Sequence, residues 1–245
     1  MATTARPALR WRNDRLFYTG MGVALALVTF WGFYRSYYLT HWHETPPGLR
    51  DLNQLLHVHG AVFTGWILLN IVQPALIAAG NRTLHRRLGW AGAALAVLMV
   101  VLGLLAGIEA MQRPPIPGFG DPHAFFSIVF FALVTFAIIV ALAIRYRKHA
   151  ETHKRLMLLS STQIIEAAVA RIPVDAIFAY MPASFYIGAN FVIVAGIGYD
   201  LLSRGKVHKV WLIGGAAVLA SQVLRLVVME TEIWLAFARF LASLW

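Results

Sequence analysis

Along most of this 245-residue chain, polar positions are scarce and apolar residues follow one another for long stretches. The stretches fall at roughly 17–38, 56–79, 89–111, 124–145, 156–180, 184–202 and 208–229, each near the ~20 residues needed to cross ~30 Å of hydrocarbon. Backbone groups find no water partner in lipid, so each stretch must pair its own N–H and C=O groups as a helix. Short connections make successive helices antiparallel neighbours. The pattern predicts an all-α, polytopic transmembrane helical bundle of about seven spans, built as one integral membrane domain. Residues 1–16 form a basic tail, 17–229 the bundle, and 230–245 an amphipathic helix that lies along the interface or docks on the bundle.

Composition strengthens this picture. The chain is 59% hydrophobic and 13% charged, with mean hydropathy +0.66, whereas soluble domains are about a quarter charged. The net charge of +10 reads as topology rather than nucleic-acid binding. With the N-terminus in the cytoplasm, the cytoplasmic segments hold Arg6, Arg10, Arg12, Arg15, Arg82, Arg86, Arg87, Arg145, Arg147, Lys148, Lys154, Arg155, Arg204, Lys206 and Lys209, fifteen of the 21 Lys and Arg. The outer segments hold Arg35, Arg50, Arg113 and Arg239. This asymmetry orients the bundle and leaves the C-terminus outside, as in a bacterial inner-membrane protein, with lipids as obligatory partners. No small-residue cleavage site follows the first apolar run, so no removable signal peptide is expected. The absence of cysteine excludes disulfides, thiolate metal sites and iron–sulfur clusters.

Ionisable residues inside spans are the next signal, because each costs ~2.5–3.5 kcal/mol at the helix centre and so faces a partner or a cavity. The fifth span carries Gln163, Glu166, Arg171 and Asp175, and the seventh carries Gln222, Arg225 and Glu230. Arg171 and Asp175 are four apart and can pair on one helix face. Glu166 points elsewhere and needs a partner on another helix. Pro173 is expected to kink the helix between these charges. In the topology above, Glu109, Arg171, Asp175 and Arg225 lie in the outer half, where His57, His59 and His123 begin the second and fourth spans. A polar cavity open to the outer side is one reading, and internal struts are the plainer one.

The nine histidines sit at span ends. His41, His43, His57, His59 and His123 are outer, whereas His85 and His153 open the third and fifth spans from inside, in the related turns HRRL and HKRL. Two basic residues lie deeper on the helix than each of these inner histidines, which puts the rings at the membrane surface and favours the outer set. HWHE and HVH together offer four imidazoles, His41, His43, His57 and His59, as ligands for a non-haem Cu, Fe or Zn ion, with His57 and His59 acting jointly only if the second helix starts after His59, because residues two apart on a helix diverge by about 200°.

The helix order and the four ligand positions resemble the ascorbate-reducible diheme membrane cytochromes and the transmembrane ferric reductases, across roughly residues 50–180. The resemblance implies haem b held by His57 or His59 with His123, and a second haem held by His85 with His153, in an electron-transport oxidoreductase. The chain is also similar to bacterial multi-span proteins that carry an H-[RK]-R-L turn.

Three functions follow as expectations. The first is a redox membrane protein with a haem or metal near the outer face, exchanging electrons with a quinone or an extracytoplasmic partner. The second is a cofactor-free intramembrane enzyme on a lipid or isoprenoid, with Glu166 or Asp175 as general acid and Arg171 or Arg225 on an anionic headgroup. The third is an accessory subunit of a larger respiratory or photosynthetic complex. No mid-span lysine stands in the seventh stretch for a retinal Schiff base, and no Gly-rich phosphate motif is present.

Overall fold

The computed structural model describes residues 7–42, 52–114, 120–180 and 182–245. Among them every regular element is helical. In chain order these are α1 (Pro7–Phe33), α2 (Gln54–Ala78), α3 (Arg82–Ala110), α4 (Pro122–Arg145), α5 (Ala150–Val169), α6 (Asp175–Ala179), α7 (Ala183–Ala189), α8 (Phe191–Arg204), α9 (Gly215–Val228) and α10 (Glu232–Ala242). Five-residue π-helical turns extend α1 to Tyr38 and lead into α9 from Val210.

The helix starts follow local chemistry. Asn53, Asn81 and Asp121 each accept a backbone N–H of the first turn, from Leu56, Leu84 and His123 at 2.9–3.0 Å, which satisfies donors that the helix itself leaves bare. Gly80 at φ 78° permits the sharp α2–α3 turn, a left-handed conformation that a Cβ disfavours.

Six segments are long and apolar enough to cross a membrane: Asp14–Tyr38, Gln54–Ala78, Arg82–Ala110, Pro122–Arg145, Ala183–Arg204 and Val210–Val228. The protein therefore has the make-up of a multi-pass membrane protein. The fifth expected span is different in kind. It ends at Val169 rather than 180, so Pro173 terminates the helix where a kink was expected. Pro lacks the N–H needed to continue the ladder and disfavours helical geometry at Ile172. The sixth span is also interrupted, at Asn190 between α7 and α8.

Helices α1 to α5 close into a ring: α1 packs on α2 and α5, α2 on α3, α3 on α4, and α4 on α5. A second group leans on one side, with α7 and α8 against α5 and α9 against α4. Helix α5 is thus packed by α1, α4, α7 and α8 and can be polar. Arg155, Ser160, Ser161, Thr162, Gln163 and Glu166 are all buried.

Small residues set the ring's closest crossings. A Cβ on Gly22 would come within 2.2 Å of the Asn70 carbonyl oxygen, and one on Gly32 within 2.1 Å of the Ala168 carbonyl oxygen. Only glycine lets the backbones approach that closely. Asn70 stands four residues before Pro74 inside α2, so its carbonyl lacks the usual helical N–H partner. The C-terminal segment docks on α4 and α3, burying Trp234, Ala238 and Ala242, and the Trp234 indole N–H donates to the His123 carbonyl at 2.9 Å.

Candidate functional site: a basic-rimmed cavity with two histidines

A cavity of about 670 Å³ lies inside the α1–α5 ring, at the end where α1, α3 and α5 begin. Its depth is apolar, with Trp66, Leu69, Val140 and Met157, and its mouth carries Arg15, Arg82, Arg86, Arg147, Lys148 and Lys154. Ligand sites commonly have such a volume and such an apolar body with few polar groups. The basic end of the molecule is therefore hollow, and its cations surround an opening.

His85 from the first turn of α3 and His153 from the first turn of α5 both line this cavity. Their ring centres are 6.5 Å apart and their planes 86° to one another. Two imidazoles that share one metal ion at ~2.0–2.1 Å per nitrogen have ring centres roughly 6 Å apart, so the spacing suits a single ion between them. His153 Nδ1 lies 2.8 Å from the Ala143 carbonyl. A carbonyl only accepts, so the Nδ1 proton is fixed there and the Nε2 lone pair is left for a ligand, the arrangement that supports metal-bound histidine. At His85 the neighbour is Gln73. Exchanging the oxygen and nitrogen of its amide lets the nitrogen donate to His85 Nδ1 at 2.6 Å and the oxygen accept from the Gly89 N–H at 3.1 Å. The ring also meets the Gln73 backbone carbonyl, which only an N–H can satisfy.

No protein-family model, curated protein or solved structure matches the chain. The geometry alone carries the functional reading.

Beside the cavity, the acids and cations of α1, α5 and α8 are paired with one another. Asp14 accepts from Lys154 at 2.8 Å, from the Tyr199 hydroxyl at 2.5 Å and from Arg204 at 2.7 and 3.0 Å. Glu151 accepts from Lys154 at 2.6 Å and Arg155 at 2.8 Å. Arg155, fully buried, also makes a two-pronged contact with the buried carboxylate of Asp200. Hydropathy placed Arg155 in a cytoplasmic basic turn and gave Asp200 no role. The signal was that Asp200 is the only acid in the sixth apolar stretch. His208 caps this cluster. Its backbone N–H donates to Asp200 at 3.1 Å and its Nδ1 accepts from the Val210 N–H at 3.2 Å. Burial, and then the nearby Arg155 charge, hold His208 below the ordinary imidazole range.

Deeper along α5, Glu166 finds the partner on another helix that its position required. Arg225 of α9 donates to it at 2.6 Å and the Gln222 amide at 2.9 Å. Arg225 also contacts Gln163, and Asn190 exchanges hydrogen bonds with Gln222 at 2.9 and 3.1 Å. Arg225 is fully buried and Glu166 is 4% exposed. The two charges meet each other inside the protein, with Arg225 Nε left without a hydrogen-bond partner.

The remaining expected site residues are dispersed. Arg171 and Asp175 do not share a helix, because α5 ends between Glu166 and Arg171. Arg171 donates to the Ala167 carbonyl at 2.8 Å and lies 4.9 Å over the Phe33 ring, while Asp175 opens α6. No ion pair joins the two among the described residues. His57 accepts from the Tyr37 hydroxyl through its carbonyl at 3.1 Å. His59 stacks on Phe63 at 4.0 Å. His123 Nδ1 lies 2.7 Å from Asp121. Burial alone would raise the Asp121 carboxyl, but the His123 backbone N–H and ring hold it below the usual carboxylate range. Among the described residues no ring contact brings His123 to His57 or His59. His41 lies in the short turn Thr40–Trp42, and His43 falls outside the described residues. No cluster of three or more His, Asp or Glu able to hold a metal occurs among the described residues. A hollow of about 610 Å³ at this opposite end is lined by Asp121, Pro182, Leu226, Met229 and Glu230, and not by the histidines of the HVH segment.

Proposed function

We propose that the protein is a multi-pass redox protein of a bacterial inner membrane that binds a b-type haem at its basic, cytoplasmic end, with His85 and His153 as the two axial ligands. The observation that supports this most is the pair of imidazoles 6.5 Å apart inside a cavity of about 670 Å³. Each histidine starts a helix that rises from this end, so the two rings reach across the ring of helices. The His153 tautomer is set by the Ala143 carbonyl, which keeps Nε2 available.

The rest of the cavity fits a porphyrin's chemistry. Apolar side chains take an apolar macrocycle. Arg15, Arg82, Arg86 and Lys148 at the mouth meet no carboxylate among the described residues, in contrast to Lys154 and Arg204. They are free to receive two carboxylates by charge-assisted hydrogen bonds. A bound haem supplies one-electron exchange, with a quinone in the bilayer or another redox protein as the partner.

Titration of detergent-purified, haem-depleted protein with hemin tests this. The expected result is saturation at one haem per chain, with a Soret band that shifts on reduction. His85→Ala and His153→Ala are expected to lose the six-coordinate spectrum, whereas His59→Ala and His123→Ala keep it. Folded protein, verified by circular dichroism, that takes up no hemin contradicts the proposal.

A further inference from the structure

The two ends of the molecule differ in the charge they expose. At the end away from the cavity, Asp121, Glu230 and Glu232 are exposed together with Arg171 and Arg239, so acids and cations are mixed. At the cavity end Asp14, Glu151 and Asp200 are all tied to Lys154, Arg155 or Arg204, and the surplus is cationic. Beyond the cations of the mouth, Arg87, Arg145, Lys206 and Lys209 are also exposed and meet no carboxylate among the described residues. The Arg155–Asp200 and Asp14–Arg204 contacts bring the α8–α9 connection, with Lys206 and Lys209, beside α1 and α5. These cations and the mouth therefore share one face.

Cations at a span end serve anionic lipid headgroups by default, and height argues against that here. The hydrocarbon core takes ~30 Å of the ~40–45 Å bilayer, which leaves roughly 5–8 Å of headgroups on each side. Arg82 stands seven residues before the apolar stretch that begins near 89, about 10 Å along the helix axis. Lys148 lies three residues past the end of α4 and Lys206 two past the end of α8. The mouth and its surplus charge thus face water at the outer edge of the headgroups. His85 is only three residues inside Arg82, about 4.5 Å along the axis, so a haem held there reaches this face with its acidic edge. We infer that the face is the docking surface for a soluble, acidic one-electron carrier, which passes its electron to the haem through the mouth. The carrier gives up one electron and ferric iron takes it, with no atom or proton exchanged. Complementary charge steers such a partner over the opening, whereas a quinone has no acid to meet these cations. The inference deepens the haem reading and rests on it for the electron's destination, while docking itself requires no haem.

The first arm of the test uses haem-free protein in nanodiscs of zwitterionic lipid, with a strongly acidic flavodoxin as the probe and cytochrome c, a basic carrier, as the control. Flavodoxin is expected to bind, and its affinity to fall about tenfold or more between about 50 and 500 mM salt as screening shortens. Two charge reversals outside the cavity, Arg87→Glu with Lys206→Glu and separately Arg145→Glu with Lys209→Glu, are each expected to weaken binding about tenfold. Arg239→Glu at the opposite end is expected to change nothing. Circular dichroism verifies that each variant is folded. No flavodoxin binding at low salt, equal binding of cytochrome c, or an affinity unmoved by both double reversals overturns the inference. So do reversals that alter only the anionic lipid retained by the protein, because lipid is then the occupant. In the second arm, hemin-loaded protein is mixed with photoreduced flavodoxin. The iron is expected to be reduced at a rate that falls with salt and falls again in the two double reversals. Bound haem that docked flavodoxin does not reduce overturns the inference as well. Flavodoxin binding without any uptake of hemin sinks the haem reading instead and leaves the docking surface standing.

Discussion

Helix α5 touches two concentrations of charge that differ in one respect. At Glu166 and Arg225 the two charges meet each other and both side chains are buried. At the basic end the carboxylates of Asp14, Glu151 and Asp200 are consumed by Lys154, Arg155 and Arg204, yet Arg15, Arg82, Arg86 and Lys148 are left around an open cavity. The first arrangement holds helices together. The second leaves surplus positive charge beside two histidines, which is what an acidic, metal-bearing ligand requires. Intramembrane charge marks function by default, but compensation separates the strut from the site.

The difference is open to breaking by substitution. The largest effect is expected at the compensated pairs. Glu166→Gln leaves the buried Arg225 guanidinium without its counter-charge and is expected to cost about 3–5 kcal/mol, with a smaller cost for Asp200→Asn because Arg155 keeps Glu151, both read as a drop in thermal unfolding temperature in detergent. The double variant Glu166→Gln with Arg225→Met is expected to recover much of the loss, because an apolar replacement of both partners is often tolerated. By contrast, His85→Ala and His153→Ala are expected to change stability by less than ~1 kcal/mol while abolishing six-coordinate haem. A stability loss at the histidines equal to that at Glu166 would erase the distinction.

A smaller effect sharpens the account of the rim. Arg82→Ala with Arg86→Ala is expected to weaken hemin binding by about 1 kcal/mol, roughly fivefold, with reduced dependence on salt. Unfolding temperature should not move.

The smallest effect is a pH dependence at His208. Its folded-state value lies below the ordinary imidazole range, so the folded protein binds fewer protons there than the unfolded chain. Its contribution is present above the ordinary value of about 6.5 and is lost as pH falls through that value toward the folded one. Protonation also removes the acceptor of the Val210 N–H and adds charge near Arg155. His208→Gln is expected to flatten the acid side of the stability profile.

Much of the fold was legible in the pattern, because lipid leaves an apolar stretch no choice but a helix. What it could not show was where helices continue past their apolar stretch. Hydropathy begins the third span near 89, whereas α3 begins at Arg82 on the Asn81 cap, and α5 begins at Ala150 rather than near 156. Those extra turns carry His85 and His153 on rigid helix instead of loop. That is why two residues read as surface histidines converge, while the outer histidines favoured by the sequence have separate neighbours. The Glu166 partner was anticipated in kind, since a buried carboxylate needs one. Arg155–Asp200 was missed because a charge at a span end is indistinguishable from topology until the opposing acid is known. Pro173 was visible, but whether it kinks or ends a helix depends on what packs beyond it.

The most direct measurement is low-temperature electron paramagnetic resonance of the oxidised, hemin-reconstituted protein. Two imidazole planes held near the 86° of His85 and His153 are expected to give a strongly anisotropic low-spin ferric signal, lost in His85→Ala and in His153→Ala. A high-spin signal alone, or the low-spin signal persisting unchanged in both variants, would contradict haem ligation by this pair.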